Sequence, residues 1–315
     1  MPIPSDSAAP SMKKLLISNC VILFALVVTL FEIVGYTQST DGPKQKPPDA
    51  AMSNNDNPAL YFARVISASP ATRDAYVACL QERELPIWGK LKRDGLLADV
   101  SVFEVTSVLT SERGVPSWNF LFLNHLAPSV TPAVFFDGEK KGEETSVGTK
   151  RCEDQVGAAV RRAEVLRSTP NSYYPRATPE GDRQSQERKV EYRIEYIAVQ
   201  DTAADLNDYR EIMRSTLGPA EGQMLTDKWD FSFIALETVS VQSSQPGMPS
   251  WNQIHINGVF PEKDSESAND AAYDAAVRRV NPQSGGAAEV YSHLKVIRTK
   301  PREDKVRQLF ELAVR

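Results

Sequence analysis

The chain has 315 residues, a formal net charge of −5, and ordinary proportions of hydrophobic (41%) and charged (24%) residues. This length suggests about two domains, and the acidic balance excludes the basic surface of a nucleic-acid-binding protein. Three cysteines and three histidines are too few for a disulfide framework or a histidine-rich metal centre. We therefore expect no nucleic-acid partner, no bound metal and no cofactor.

Residues 1–36 contain a long apolar run that follows Lys13 and Lys14. Two interpretations stay open: a transmembrane anchor, or a signal segment that is cleaved. Both predict a protein of the cell envelope, either anchored in the inner membrane with its C-terminal part outside the cytoplasm or secreted to the periplasm. The polar residues 37–57, which include Pro47 and Pro48, are then a flexible tether.

A repeated sequence motif indicates that the rest of the chain consists of two similar copies. The residues Gly114–Asn119 recur, with one change, as Gly247–Asn252, and the same spacing relates Tyr76 to Tyr209 without a gap in between. A register kept over so many positions indicates an internal duplication. We assign residues 58–178 to the first copy, 179–189 to a linker and 190–300 to the second copy, with a C-terminal amphipathic helix at 301–315.

Hydrophobic periodicity predicts the order strand, helix, strand, strand, helix, strand in each copy. In the first copy the predicted strands are 61–66, 99–108, 118–126 and 172–178, and the predicted helices are 72–85 and 151–168. In the second copy the predicted strands are 192–198, 231–241, 251–259 and 289–298, with a helix around Leu206, Tyr209 and Met213 and another at 265–280.

That element order is typical of the ferredoxin-like unit. Two such copies resemble the dimeric α+β barrel superfamily, here as a fused tandem pseudo-dimer. The superfamily includes antibiotic-biosynthesis monooxygenases, EthD-like proteins, chlorite dismutases and dye-decolorising peroxidases. The resemblance implies an α+β fold whose two sheets close into a barrel with helices outside. Haem-binding members use a histidine on a helix, whereas His125, His255 and His293 all fall on predicted strands.

The candidate site follows from positions that differ between the copies. Alternation along the third strand places Leu121 and Leu123 toward the helices, together with Ile254 and Ile256, and the opposite face inside the barrel. We predict His255 as a general base and Glu195 as a group that orients the substrate. The predicted ligand-binding residues are Arg64, Phe122, Asn124, Arg193, Gln253 and Asn257.

Residues shared by both copies are interpreted as structural, among them Trp118 with Trp251 and Asn119 with Asn252. Cys79 and Cys152 form either a disulfide or two buried thiols. The main functional prediction is an envelope protein that holds a small apolar or amphipathic ligand inside the barrel. The alternatives are a cofactor-independent monooxygenase or isomerase-like enzyme, and a protein-interaction module.

Overall fold

The computed structural model describes residues 58–145, 151–173, 190–200, 202–260 and 266–311. All of them belong to the second of two compact units, Pro47–Arg315. The predicted segment 1–36, the tether 37–57 and the linker 179–189 lie outside the described residues. Within the described ranges, no helix has the length and apolar character needed to cross a membrane.

Eight antiparallel strands form a closed barrel in the order β1-β3-β2-β8-β5-β7-β6-β4. One half contains β4-β1-β3-β2 and the other β8-β5-β7-β6, so the two halves have the same strand order. The predicted α+β fold with an antiparallel sheet is confirmed. The strands are β1 (Leu60–Ser67), β2 (Leu97–Ser111), β3 (Phe120–Leu126), β4 (Ala159–Ser168), β5 (Glu191–Val199), β6 (Asp230–Ser244), β7 (Gln253–Val259) and β8 (Arg298–Glu311).

Helices cover the outer face of each half. In both halves a single π-helical turn connects the first helix to a second one, which has a proline in its first turn. The missing N–H of proline is tolerated at that position. The first half has α1 (Arg73–Cys79), the π turn Leu80–Glu84, α2 (Leu85–Arg93), α3 (Pro132–Thr145) and α4 (Cys152–Val156). The second half has α5 (Ala203–Ile212), the π turn Met213–Leu217, α6 (Gly218–Thr226), α7 (Glu266–Val280) and α8 (Ala287–Ile297).

Side chains fill the barrel interior. Leu121, Leu123, Ile254 and Ile256 point inward and pack in one cluster with Trp118, Trp251 and Tyr196. An eight-stranded barrel is just wide enough to be filled in this way. The predicted faces of the third strand of each copy are therefore inverted: the leucine and isoleucine face lines the barrel, and the face carrying Phe122 or His255 lies under the helices.

Four predicted elements are wrong. The predicted helix 151–168 is the short α4 followed by β4, and the predicted strand 289–298 is mostly α8. The predicted C-terminal helix 301–315 is part of β8 as far as Glu311, and the first half takes its long second helix from 132–145. A fourth strand at 172–178 is absent from the described part of that range, where Tyr173 makes one isolated bridge to Phe233.

The two halves are connected by reciprocal contacts, in which an arginine of each half packs on a tryptophan of the other. Arg302 of β8 lies 3.8 Å from the centre of the Trp118 ring, and Arg162 of β4 lies 4.1 Å from that of Trp251. Each arginine also donates to the carbonyl oxygen of its tryptophan. An acidic residue two positions later, Asp304 or Glu164, pairs with the arginine, so each strand clamps the tryptophan of the opposite half.

The repeated asparagines close equivalent turns. Asn119 accepts from the backbone N–H of Ala68 at 2.8 Å and donates to the carbonyl oxygen of the same residue at 3.0 Å. Asn252 makes the same two hydrogen bonds to Val199, each at 3.0 Å. Both side chains thus replace a missing strand partner, which is the structural role predicted for them.

Candidate functional site

A row of polar side chains, joined by hydrogen bonds and by one close charge contact, lies between the sheet of the second half and its helices. Tyr209 of α5 places its hydroxyl 3.0 Å from Nε2 of His255 on β7. Nδ1 of the same imidazole lies 3.7 Å from Oε2 of Glu195, its direct neighbour on β5. Lys300 of β8 donates to the other carboxylate oxygen of Glu195 at 2.9 Å. The order is therefore carboxylate, imidazole and phenol, the order of a proton relay.

Arg298 extends the row on the side of the phenol. Its guanidinium carbon lies 5.8 Å from the centre of the Tyr209 ring and 5.9 Å from that of Tyr291, so the cation packs against both rings. A carboxylate can only accept, so the Glu195 charge near Nδ1 favours the His255 proton on that nitrogen. Nε2 is then the acceptor for the Tyr209 hydroxyl.

Burial governs the protonation of this row. It lowers the pKa of His255 to about 4, more strongly than the nearby Glu195 carboxylate raises it. Burial also raises the pKa of Tyr209. For Glu195, burial acts in the opposite sense to Lys300, His255 and Arg298, which together hold its pKa below the usual value. At neutral pH the row therefore contains a carboxylate, a neutral imidazole and a neutral phenol.

Two amides flank His255 on the same face of β7. Gln253 is 2% exposed, and within the described part of the chain neither its Nε2 nor the Oδ1 of Asn257 has a hydrogen-bond partner. A buried amide N–H without a partner costs on the order of 1–3 kcal/mol. These atoms are a donor and an acceptor that a bound molecule can satisfy.

The first half has a different buried polar cluster at the equivalent place. Arg64 of β1 lies 3.4 Å from Glu153 and 3.5 Å from Glu84, and Tyr76 donates to the same Glu153 oxygen at 3.1 Å. Burial raises the pKa of Glu84 to about 7. The nearby Asn124 is fully buried, and neither polar atom of its side chain has a hydrogen-bond partner among the residues that the structure describes.

A disulfide holds this first-half cluster in place. Cys79 at the end of α1 is bonded to Cys152 at the start of α4, with 5.8 Å between the Cα atoms. Glu153, the partner of Arg64 and Tyr76, is the next residue of α4. Of the two possibilities left open for these cysteines, the structure has the disulfide.

The predicted site residues are therefore separated into two groups, and none of them lines the barrel interior. His255, Glu195, Gln253 and Asn257 share the outer face of the second half, where Arg193 lies opposite Asn257 in the strand register. Arg64, Asn124 and Phe122 lie under the helices of the first half, with the Arg64 guanidinium 5.1 Å from the centre of the Phe122 ring. Their predicted placement inside one pocket of the barrel is wrong, because the outer face of each strand is as buried as the inner one.

The residues predicted from the sequence omit three members of the row: Tyr209, Arg298 and Lys300. Tyr209 has Tyr76 at the same position of the first copy, and a residue shared by both copies is interpreted as structural. The two tyrosines differ in their hydrogen-bond partners: Tyr76 donates to Glu153, whereas Tyr209 faces His255. Arg298 and Lys300 stand at the end of a segment whose secondary structure is predicted incorrectly.

No family model and no curated protein matches the chain. Solved structures with a similar fold include one titled as a putative chlorite dismutase, with 7% identity and a TM-score of 0.41, covering 81% of this chain and 96% of that one. Another is a dye-decolorizing protein from V. cholerae, with 9% identity and a TM-score of 0.44, covering 78% and 92%. A third, from Shewanella oneidensis, is titled as a putative DyP-type peroxidase, with 8% identity and a TM-score of 0.44, covering 79% and 91%. These likenesses concern the fold alone.

The predicted envelope protein with a ligand inside the barrel is wrong. The barrel interior, where the ligand was expected, is instead filled by the tryptophan-centred cluster. The description of the chain as a membrane protein with a signal segment likewise finds no support among the described residues.

The histidines do not fit the haem of the superfamily's haem-binding members. His293 lies on α8, not on a strand as predicted, but its side chain is 55% exposed and its Nε2 is 2.6 Å from Asp208. His125 stacks on Tyr61 with 4.6 Å between the ring centres. Both nitrogens of His255 face residues of the relay. The absence of a cofactor stays a prediction.

Proposed function

We propose that the protein is an enzyme that removes and returns a proton at a carbon atom next to a carbonyl group, with its active site in the second half. This deepens the enzyme alternative from the sequence, because an isomerase and a cofactor-independent oxygenase both begin with such a proton transfer. The observation that carries the proposal is the buried Glu195–His255–Tyr209 row. The resemblance to antibiotic-biosynthesis monooxygenases and EthD-like proteins belongs to the same proposal.

The chemistry is divided among three side chains. The Tyr209 oxygen is the group that meets the substrate, because it ends the Glu195–His255–Tyr209 relay and lies beside the Arg298 cation. As the C–H bond breaks, Tyr209 takes the substrate proton and passes its own to Nε2 of His255. The electron pair of the C–H bond moves onto the substrate carbonyl oxygen, and the reverse transfer completes an isomerisation.

Two surrounding groups offset the charges that this step creates, although burial of His255 opposes the imidazolium. The imidazolium formed at His255 faces the Glu195 carboxylate, which holds the ring in the required tautomer. The free N–H of Gln253 is a donor for the oxygen that becomes negative. The low pKa of His255 keeps the imidazole neutral at pH 7 and therefore able to accept the Tyr209 proton.

Organisation and location are also part of the proposal. We propose that residues 58–178 and 190–300 arose by duplication, which the equal strand order and the exchanged tryptophan contacts support. The disulfide supports a site of action in an oxidising compartment outside the cytoplasm.

Deuterium exchange tests the proposal with simple carbonyl compounds in place of the natural substrate. A panel of ketones and 2-oxo acids is incubated with the protein in D2O, and loss of the α-proton signal is followed by proton NMR. Tyr209→Phe and His255→Gln should each slow the catalysed exchange by about 100-fold or more. Tyr76→Phe is the matched control, because it removes a buried hydroxyl at the same place in the first half.

Equal exchange rates in Tyr209→Phe, Tyr76→Phe and the unaltered protein would refute the proposed site. The proposal also fails if the protein accelerates exchange in no member of the panel. Thermal unfolding of each variant verifies that the compared proteins are folded.

A further inference from the structure

Arg298 differs from the buried arginines of the barrel wall in having no carboxylate partner within the described part of the chain. Arg302, Arg162 and Arg64 each face a carboxylate within 3.5 Å. Arg298 has no such partner among the described residues, because Glu195, the carboxylate whose charge acts on it, is bonded to Lys300 instead. Its guanidinium packs against the rings of Tyr209 and Tyr291. A guanidinium positioned in this way keeps donors free for an incoming anion.

The position of Arg298 gives it access from outside. Arg298 is the first residue of β8, directly after α8, and it is half-buried. Tyr291, against which it packs, is 37% exposed. The last carbonyl groups of α8 favour a cation at this end of the helix. Arg298 therefore connects the solvent to the buried Tyr209 hydroxyl.

The other half of the barrel lacks an equivalent cation. The exchanged clamps match Arg162 with Arg302 and Glu164 with Asp304. The same register matches Arg298 with Ala158. Among the described residues, Tyr76, the counterpart of Tyr209, has no imidazole beside it, and the guanidinium near it, that of Arg64, is paired with Glu153 and Glu84. An imidazole and a guanidinium without a carboxylate partner lie together in the half that we propose as the active site, which supports a shared role for them.

We infer that Arg298 binds a carboxylate group of the substrate, so that the enzyme acts on oxo acids and not on neutral ketones. This inference rests on the proposed function and adds the substrate class to it. A planar carboxylate accepts two parallel N–H donors of a guanidinium. Because Arg298 packs against the Tyr209 ring, a carboxylate bound there lies near the proton acceptor. In a 2-oxo acid the carbon next to the carboxylate is the oxo carbon and has no hydrogen, so the C–H bond that breaks is on the other side of the oxo group. Its proton goes to Tyr209, and the electron pair moves to the oxo oxygen.

The inference is tested with 2-oxobutanoate and its methyl ester, which differ in the charged group. Binding is measured by calorimetry, and α-proton exchange is measured separately by NMR in D2O. The unaltered protein should bind the acid more tightly than the ester. Arg298→Gln should weaken binding of the acid by about 10- to 100-fold, the value of a hydrogen bond to a charged group, and leave the ester unchanged. Arg298→Lys, which keeps the charge but loses the planar fork, should recover part of the affinity.

Arg279→Gln is the control. Arg279 is an exposed arginine of α7 whose partner, Asp227, lies 3.4 Å away, and its removal should change neither affinity. Equal affinity for acid and ester, equal affinity in Arg298→Gln, or binding of neither molecule overturns the inference.

The two proposals fail in different ways. Binding of the acid that depends on Arg298 without any exchange would sustain the carboxylate site and refute the proton transfer. Exchange that depends on Tyr209 but is the same for acid and ester, and is unchanged in Arg298→Gln, would do the opposite.

Discussion

The guanidinium of Arg302 lies 3.8 Å from the centre of the Trp118 ring and donates to the Trp118 carbonyl oxygen at 2.9 Å, although the two residues stand 184 positions apart. Arg162 makes the corresponding contacts with Trp251. Each contact crosses from one half of the barrel to the other. The arginine–tryptophan clamps therefore hold the closed barrel together at both places where the halves meet.

Removing either clamp should destabilise the whole barrel. Arg302→Ala leaves Asp304 buried without its partner, and Arg162→Ala does the same to Glu164. Loss of one member of a buried pair lowers the free energy of unfolding by about 3–5 kcal/mol. Urea unfolding measures this loss, with the exposed Arg278→Ala as a control that should cost about 0.5 kcal/mol or less. Equal losses in all three variants would show that the clamps do not stabilise the barrel.

The asparagine turns should be energetically equivalent. Asn119→Ala and Asn252→Ala each remove two hydrogen bonds to a strand backbone. We expect each to lower the free energy of unfolding by about 1–3 kcal/mol. If one substitution is neutral and the other is not, the two turns do not have the same role.

Reduction of the disulfide should weaken the first half. The bridge between Cys79 and Cys152 closes a loop with a sequence separation of 73, which corresponds to about 4 kcal/mol from the restricted unfolded chain. Urea unfolding with and without a reductant measures the difference, and the double variant Cys79→Ala with Cys152→Ala should match the reduced protein. An unchanged midpoint after reduction would mean that the bridge adds no stability.

Acid should weaken the fold through His255. The imidazole titrates near 6.5 in an unfolded chain and near 4 in the folded protein, so the unfolded state binds more protons between these values. The stabilisation from a neutral His255 is complete above pH 6.5 and declines as the pH falls toward 4. At pH 5 the loss is about 2 kcal/mol.

Unfolding curves at pH 7 and pH 5 check this, because His255→Gln should lose about 2 kcal/mol less than the unaltered protein on acidification. Identical losses would mean that His255 is not held neutral by burial.

Much of the barrel was predictable from the sequence because the repeated motif aligns the two copies residue by residue. Strands β1 to β3 and β5 to β7 lie where alternation and the duplicated residues predict them. Strands β4 and β8, which carry the arginines that contact the opposite half, were harder to predict. In β8 the inward positions are Arg302, Asp304 and Val306, so two charged residues conceal the apolar alternation of a strand. Those charges are buried only because Trp118 of the other half receives them, a contact that no local pattern contains.

A coincidence of spacing explains the error at β4. Val156, Val160 and Ala163 recur at helical intervals, yet only Val156 is helical and β4 begins at Ala159. The same five letters at 158–162 and 275–279 lie mostly in a strand in the first case and entirely in a helix in the second. Short words without tertiary context do not determine secondary structure.

The site was only partly predictable for a related reason. Both faces of β7 are buried, so alternation separates its residues into two sets but does not say which set faces the barrel. His255 and Glu195 share a face in the prediction and in the structure, where they lie opposite each other in adjacent strands. Tyr209 and Arg298 enter the row from helix packing and from the start of β8, and neither follows from strand alternation.

The most direct test of the proton relay is nitrogen NMR of the protein labelled at its three histidines, with the His255 signals assigned by their loss in His255→Gln. We expect a neutral His255 at pH 7 with the proton on Nδ1, an unprotonated Nε2 that accepts the Tyr209 hydroxyl, and a pKa near 4. Tyr209→Phe should shift the Nε2 resonance, while Tyr76→Phe should leave it unchanged. A proton on Nε2, or a titration near 6.5 as in an exposed histidine, would contradict the relay of Glu195, His255 and Tyr209.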